Sequence, residues 1–329
     1  MYVRRCLSLF HKRQGPLSRS NVNTVRKKVT IQELYNLRQS KTPITMLAAY
    51  DYPTALACSS STLTDIVLVG DSLAQICLGH PSTTQLTLSE IIHHAKAVAK
   101  GTSHPLLLGD LPFGTYYTSV DAAVSNAVQL IKEGGVEGVT MEGGREIANI
   151  VRKLTEVGIP VMAHVGLLPQ RHTSLSGYKV QGKTVDGAKK LMTDALALQD
   201  AGAFALLIEA VPLELGKYIT ERLKIPTIGV GAGPHTSGQA SLLCFFFFFF
   251  KTLTLVKQAL VCDDVMGGSE HTAKFVRSFA NLRELRVNAI QSFGEAIRNG
   301  SFPDPVNESY KTEKTEWDRF LGSDTGDPQ

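Results

Sequence analysis

VLVGDS, residues 67–72, is an apolar run of strand length that stops at a carboxylate, Asp71. The same shape recurs in LLLGDLPF (106–113, Asp110), GVTMEGG (138–144, Glu142), LLIEAVP (206–212, Glu209) and, more weakly, MLAAYDY (46–52, Asp51). A strand this rich in Val, Ile and Leu reads as buried on both faces, as in a parallel sheet covered by helices. It ends at the acid because an ionised carboxylate is costly to bury without a cation or hydrogen bonds. Any one of these acids alone is well explained as the cap of the following helix. Five at equivalent strand ends point instead to one centre built for a divalent ion.

Working outward, strand-length runs at 44–50, 65–71, 105–111, 138–142, 160–166, 204–209 and 226–231 alternate with helical periodicity at 88–100, 120–133, 145–156 and 187–201. Repeated βα units imply parallel strands. With a last short strand near Lys274 to Arg277 the count reaches eight, which favours a closed (β/α)8 TIM barrel over an open doubly wound sheet. In that fold functional groups lie at the C-terminal ends of the strands, where the acids fall. A helix at 30–39, opened by Thr30 and carrying Leu34 and Leu37, is expected to cap the other end of the barrel. IGVGAG (228–233) matches neither a phosphate loop nor a dinucleotide fingerprint, and its glycines are read as letting a strand end pass close to ligand.

The chain has 329 residues, enough for one large domain, with 34 basic and 30 acidic side chains. That near balance gives no reason to expect nucleic acid or an anionic membrane as partner. The basic excess is local: Arg4, Arg5, Lys12, Arg13, Arg19, Arg26, Lys27 and Lys28 precede the first acid, Glu33, among several serines. Residues 1–28 therefore read as a mitochondrial transit peptide, with the mature chain starting near Val29 and the matrix as destination, the cytoplasm being the alternative. Residues 29–303 form the catalytic barrel, and 304–329 a mobile polar tail. Cysteines 6, 58, 77, 244 and 262 show no metal-ligand or disulfide spacing. His93 and His94, neighbours in a helical stretch, lack it as well.

One segment interrupts the pattern. Residues 240–258 read ASLLCFFFFFFKTLTLVKQ, with six consecutive phenylalanines. Nine apolar residues from Leu242 fall short of the roughly 20 that span a bilayer, so no transmembrane segment is expected. Phenylalanine codons are pyrimidine-rich, and the run is what a translated splice-acceptor tract would give, with CAG encoding Gln258. Removing 240–258 joins TSGQ to ALVCDDVMG, which reads as one continuous helical segment. The competing reading is a genuine hydrophobic insertion for a partner or membrane surface, exposed at the risk of aggregation.

These motifs, with HVGLLPQ (164–170) and GYKVQG (177–182), closely resemble the ketopantoate hydroxymethyltransferase (3-methyl-2-oxobutanoate hydroxymethyltransferase) family from about Val29 to Pro303, the interruption aside. The resemblance implies a magnesium-dependent barrel that moves a one-carbon unit from methylene-tetrahydrofolate to 3-methyl-2-oxobutanoate, giving 2-dehydropantoate for pantothenate and coenzyme A. It also implies a homo-oligomer with small-molecule substrates. By the same resemblance Asp71 and Asp110 are magnesium ligands, and Glu142 completes the acidic site directly or through water. Asp71, Ser72 and Asp110 contact the oxo acid, and Glu209 is the proton acceptor. His164 stands at its strand end either as a substrate contact or as a core residue. Where the family carries a substrate-binding lysine this chain has Thr140, and the usual glycine after VGDSL is Ala74. A threonine donates one hydrogen bond but brings no charge, so Lys179 or another cation is needed to compensate. The alternatives are a related metal-dependent lyase or aldolase for another 2-oxo acid, and a degenerate, non-catalytic homologue.

Overall fold

The computed structural model describes residues 26–239, 260–268 and 276–323. Seven parallel strands follow one another around the molecule: β1 (Met46–Ala48), β2 (Ile66–Val69), β3 (Leu106–Asp110), β4 (Gly138–Glu142), β5 (Val161–Gly166), β6 (Ala205–Glu209) and β7 (Thr227–Val230). Each pairs with the next in sequence, and two short strands, β8 (Gly238–Gln239) on β7 and β9 (Leu260–Val261) on β1, flank the set. A parallel bridge between Ile44 and Gly238 brings the two edges together, so the sheet is a nearly closed barrel, as expected.

The helices are α1 (Ile31–Gln39), α2 (Tyr52–Ser60), α3 (Leu73–Ile76), α4 (Leu88–Gly101), α5 (Val120–Gly134), α6 (Ala148–Glu156), α7 (Val185–Asp200), α8 (Leu213–Arg222), α9 (Cys262–Met266), α10 (Leu282–Arg298) and α11 (Lys314–Ser323). Their starts are chemically marked. Thr87 and Glu90 form a reciprocal capping box at α4, and Ser119 and Thr184 cap α5 and α7 through their hydroxyls. Burial splits into two layers. Ile44, Met46, Ile66, Leu108, Met162, Leu207 and Ile228 fill the barrel interior, while Val67, Val139, Val161 and Leu206 face the helices. Adjacent residues thus point to opposite sides, which is why these strands read as continuous apolar runs. Thr30 caps α1 as expected, and its fully buried Leu34 joins the interior layer, closing the bottom of the barrel.

Two expectations are corrected. No strand forms at Val276–Arg277, and 274–275 lie outside the described residues; the eighth position is taken by β8 and β9. Gly238–Gln239 and Leu260–Val261, on either side of the interruption, are therefore strand, and helix begins only at Cys262: segments this short carry no periodicity to tell the two apart. Two of the glycines of 228–233 are also required by packing. A Cβ on Gly229 would sit 2.7 Å from the Thr236 hydroxyl, and one on Gly233 2.8 Å from the Leu213 side chain. Residues 1–25, 240–259 and 324–329, which hold most of the leader, the phenylalanine run and the end of the tail, lie outside the described residues. Within the tail, α11 stacks Trp317 on Phe320.

Candidate active site

A cavity of about 680 Å³ opens at the C-terminal end of the barrel, lined by Asp71, Ser72, Asp110, Thr140, Glu142, His164 and Glu209 among others. Asp110, Glu142 and Glu209 are the last residues of β3, β4 and β6, and Asp71 follows β2 by two. Adjacent parallel strands in register bring these ends to one level; Asp110 pairs with Thr140 and Glu142 with His164 across the ladder. Asp51 is the exception. It is exposed, outside this cavity, and accepts a 2.8 Å hydrogen bond from the Thr54 amide as the cap of α2.

The acids are held close together with few counter-charges. Asp110 accepts from the Asp71 amide at 2.8 Å and from the Thr140 hydroxyl. Glu142 accepts from the Gln170 amide at 3.1 Å. Burial pushes the Asp71 carboxyl up to about 6, only partly offset by Gln170 and His164. Asp110 and Glu142 are raised well above the carboxylate range, first by burial and next by the charge of Asp71. Among the described residues no lysine or arginine lines the cavity, although Asp263 and Asp264 also reach it. Lys179 is exposed and does not line it, so it does not make good the missing ammonium at Thr140. Instead the Thr140 hydroxyl is spent on Asp110.

This donor set fits a hard divalent cation. One oxygen of Asp71, Oδ2, is buried with no hydrogen-bond partner, an arrangement that is costly unless something positive meets it. Among the described residues no three His, Cys, Asp or Glu side chains are grouped to ligate one ion directly.

Around the acids, His164 lies 3.2 Å through Nε2 from Glu209 and 4.0 Å through Nδ1 from Glu142. It therefore belongs to the site, not to the core. Gly166 on the same strand adopts φ +100°, and a Cβ there would stand 2.1 Å from the Glu209 carbonyl oxygen, so glycine is required to seat Glu209. The Ser72 hydroxyl hydrogen-bonds Tyr50 at 2.6 Å, and the Tyr50 carbonyl in turn meets His94 Nδ1 at 2.7 Å. His94 thus supports the site from outside, while His93 is exposed. Sequence reasoning missed Thr83, whose hydroxyl is buried without a partner beside the cavity, along with Gln170 and the pair Asp263 and Asp264. Only the last carried a signal, two acids following an apolar run. Tyr178 of GYKVQG also lines the cavity, stacked on His172 with ring centroids 5.4 Å apart.

Comparison with known proteins agrees with this geometry. A family model described as ketopantoate hydroxymethyltransferase matches residues 28–245. A 3-methyl-2-oxobutanoate hydroxymethyltransferase of Oleidesulfovibrio alaskensis is 45% identical over 261 residues, covering 79% of this chain and 83% of its own. The protein of that name from Emericella nidulans is 40% identical over 296 residues, covering 89% and 79%. Among solved structures, phosphonopyruvate hydrolase in complex with oxalate and Mg++ superposes with a TM-score of 0.52 at 16% identity, covering 89% of this chain and 97% of its own. 2,3-Dimethylmalate lyase gives 0.50 at 13%, covering 90% and 96%. At such identities the likeness is one of fold.

Proposed function

The chain belongs to the ketopantoate hydroxymethyltransferase family, and from that premise we propose that it transfers a hydroxymethyl group from methylene-tetrahydrofolate to 3-methyl-2-oxobutanoate, giving 2-dehydropantoate on the route to pantothenate and coenzyme A. The observation that carries the reading is the convergence of Asp71, Asp110, Glu142 and Glu209 on one cavity at the C-terminal end of the barrel.

Asp71 and Asp110 would hold magnesium, with Glu142 acting through water. Bound there, the ion supplies Lewis-acid stabilisation of the charge that develops on the 2-oxo oxygen. The remaining work falls to the chain. Ser72, its hydroxyl held by Tyr50, orients the oxo acid beside Asp71 and Asp110, and Thr140 keeps Asp110 in place. Glu209 takes the proton from C3, and His164, whose Nε2 stands 3.2 Å from that carboxylate and has no hydrogen-bond partner, offers a hydrogen bond to substrate. C3 then bonds to the methylene carbon as that carbon leaves one folate nitrogen; it leaves the second as water supplies its hydroxyl, and the proton from C3 and the remaining proton of water end on the two nitrogens. Asp263 and Asp264 stand at the edge of the same cavity.

The test is formation of 2-dehydropantoate from the two substrates. Turnover that needs both folate and magnesium supports the reading. Cleavage or condensation of a 2-oxo acid without folate would replace it with a lyase, and magnesium binding without turnover on any 2-oxo acid would point to a non-catalytic homologue.

The enzyme is further proposed to work as a homo-oligomer in the mitochondrial matrix. Support for the first is the exposure of Leu285, Ile290, Phe293 and Ile297 along α10, and sedimentation tests it. Support for the second is the basic, serine-containing leader. Fractionation that finds the protein in the cytoplasm would reject it.

A further inference from the structure

We infer that β8 and β9 are the two halves of a single eighth barrel strand, Gly238-Gln239-Ala259-Leu260-Val261, and that the complete enzyme lacks residues 240–258. Register supports this. Along β1 the bridge sets Gly238 opposite Ile44, while Leu260 and Val261 pair with Leu47 and Ala48. Gln239 then falls opposite Thr45, so the gap between the halves is one residue wide, at Met46. Ala259 fills it. The chain instead places 240–259 between two residues that are already in one register on one neighbour.

Side-chain direction agrees independently. A Cβ on Gly238 would meet Ile228 and Ile44, both in the barrel interior, at 2.4 and 2.6 Å. Val261 lines the central cavity with its partner Ala48. Both ends therefore face inward, which in a strand requires an even separation. Numbered through the full chain they are an odd distance apart; with 240–258 removed they are separated by four positions. On the other side the first half continues the ladder from β7, where Ile228 and Gly229 pair with Gly238 and Gln239. The rejoined strand thus closes the barrel between β7 and β1 and delivers Asp263 and Asp264 to the cavity directly from its end. Consistently, the family match breaks off at residue 245, inside the interruption.

Thermal unfolding tests this without reference to substrate. Three proteins are compared: the full chain, the chain lacking 240–258, and the chain lacking 240–259. The last slips the strand by one residue and turns its inward side chains outward. The nineteen-residue deletion is expected to melt more than about 5 °C above the full chain, and the slipped deletion well below it. A nineteen-residue deletion that melts no higher than the full chain, or two deletions that melt alike, would overturn the inference. Because melting reads the barrel alone, a stabilised but inactive protein would reject the proposed reaction and leave the eighth strand standing. In the cell, messages joining codon 239 to codon 259 are expected to predominate; finding only messages that retain the intervening codons would overturn the claim that the complete enzyme lacks them.

Discussion

The proposed reaction gives each carboxylate in the cavity a distinct task, and single substitutions separate them. Replacing Glu209 by Gln keeps the shape and the His164 contact but removes the base, so kcat is expected to fall by about 10²–10⁴ with magnesium binding unchanged. Loss of both would make Glu209 a ligand instead. Thr140→Lys restores an ammonium between Asp110 and the substrate, and a charge-assisted contact of about 1.5–3 kcal/mol should lower the KM for the oxo acid some ten- to hundredfold. An unchanged KM would mean that Thr140 has been fully compensated. Asp71 gives a pH test with a definite sign. Its carboxyl is raised by burial to about 6 in the fold, so the metal-free protein binds that proton more tightly folded than unfolded. Its contribution to stability is complete below the unfolded value near 4 and is lost as pH rises through 6, on the order of 3 kcal/mol. Metal-free protein should melt lower at pH 7 than at pH 5, and Asp71→Asn should flatten that slope. A slope unchanged by the substitution would remove Asp71 as its source. These acids were legible in the sequence because each terminates an apolar run. Asp51 does so too, yet it caps a helix: β1 ends at Ala48, and three further residues carry Asp51 out of the cavity. Thr83 and the role of Gln170 were not legible, since single polar residues in short helical turns reach the site only through tertiary folding.

At the scale of elements, continuous burial made seven strands readable and made the eighth unreadable. β2 is fully buried on both faces, and its IVLV sequence says so. The eighth strand is small and split, with glycine at its start because Ile44 and Ile228 leave no room for a Cβ. A segment of that composition has neither length nor periodicity to announce itself, and the sequence reading placed the last strand near Lys274–Arg277 instead. Helix α1 was legible through its Thr30 cap and the 34/37 spacing, and it offers an energetic test. Leu34 is fully buried against the bottom of the barrel interior, so Leu34→Ala should cost about 2–5 kcal/mol, measured by denaturant unfolding, with kcat unchanged because the chemistry lies at the opposite end. A loss of kcat in folded protein would show that the plug and the site communicate.

For the whole molecule, contacts place the border between the basic leader and the barrel. The sequence reading set that border near Val29, since charge alone cannot separate arginines that address a protein from those that bind it together. Arg26 reaches Asp65, which is buried, at 2.5 Å and donates to the Thr64 carbonyl; Lys28 pairs with Glu137 and donates to the Pro105 carbonyl at 2.6 Å. Asp65 and Glu137 in turn accept from the Thr45 and Leu107 amides at strand starts. These two basic residues therefore lace the N-terminal ends of β1, β2 and β3 beneath the barrel. A chain beginning at Val29 leaves Asp65 without its cation, at a cost of about 1–3 kcal/mol for a buried charged group deprived of a partner. It should melt a few degrees below a chain beginning at Arg26, with the difference shrinking at high salt only to the extent that the half-exposed Lys28 pair contributes. If processing preserves the fold, the N-terminus of protein recovered from mitochondria will lie at or before Arg26. Equal melting of the two chains would reduce both pairs to surface contacts and return the border to Val29.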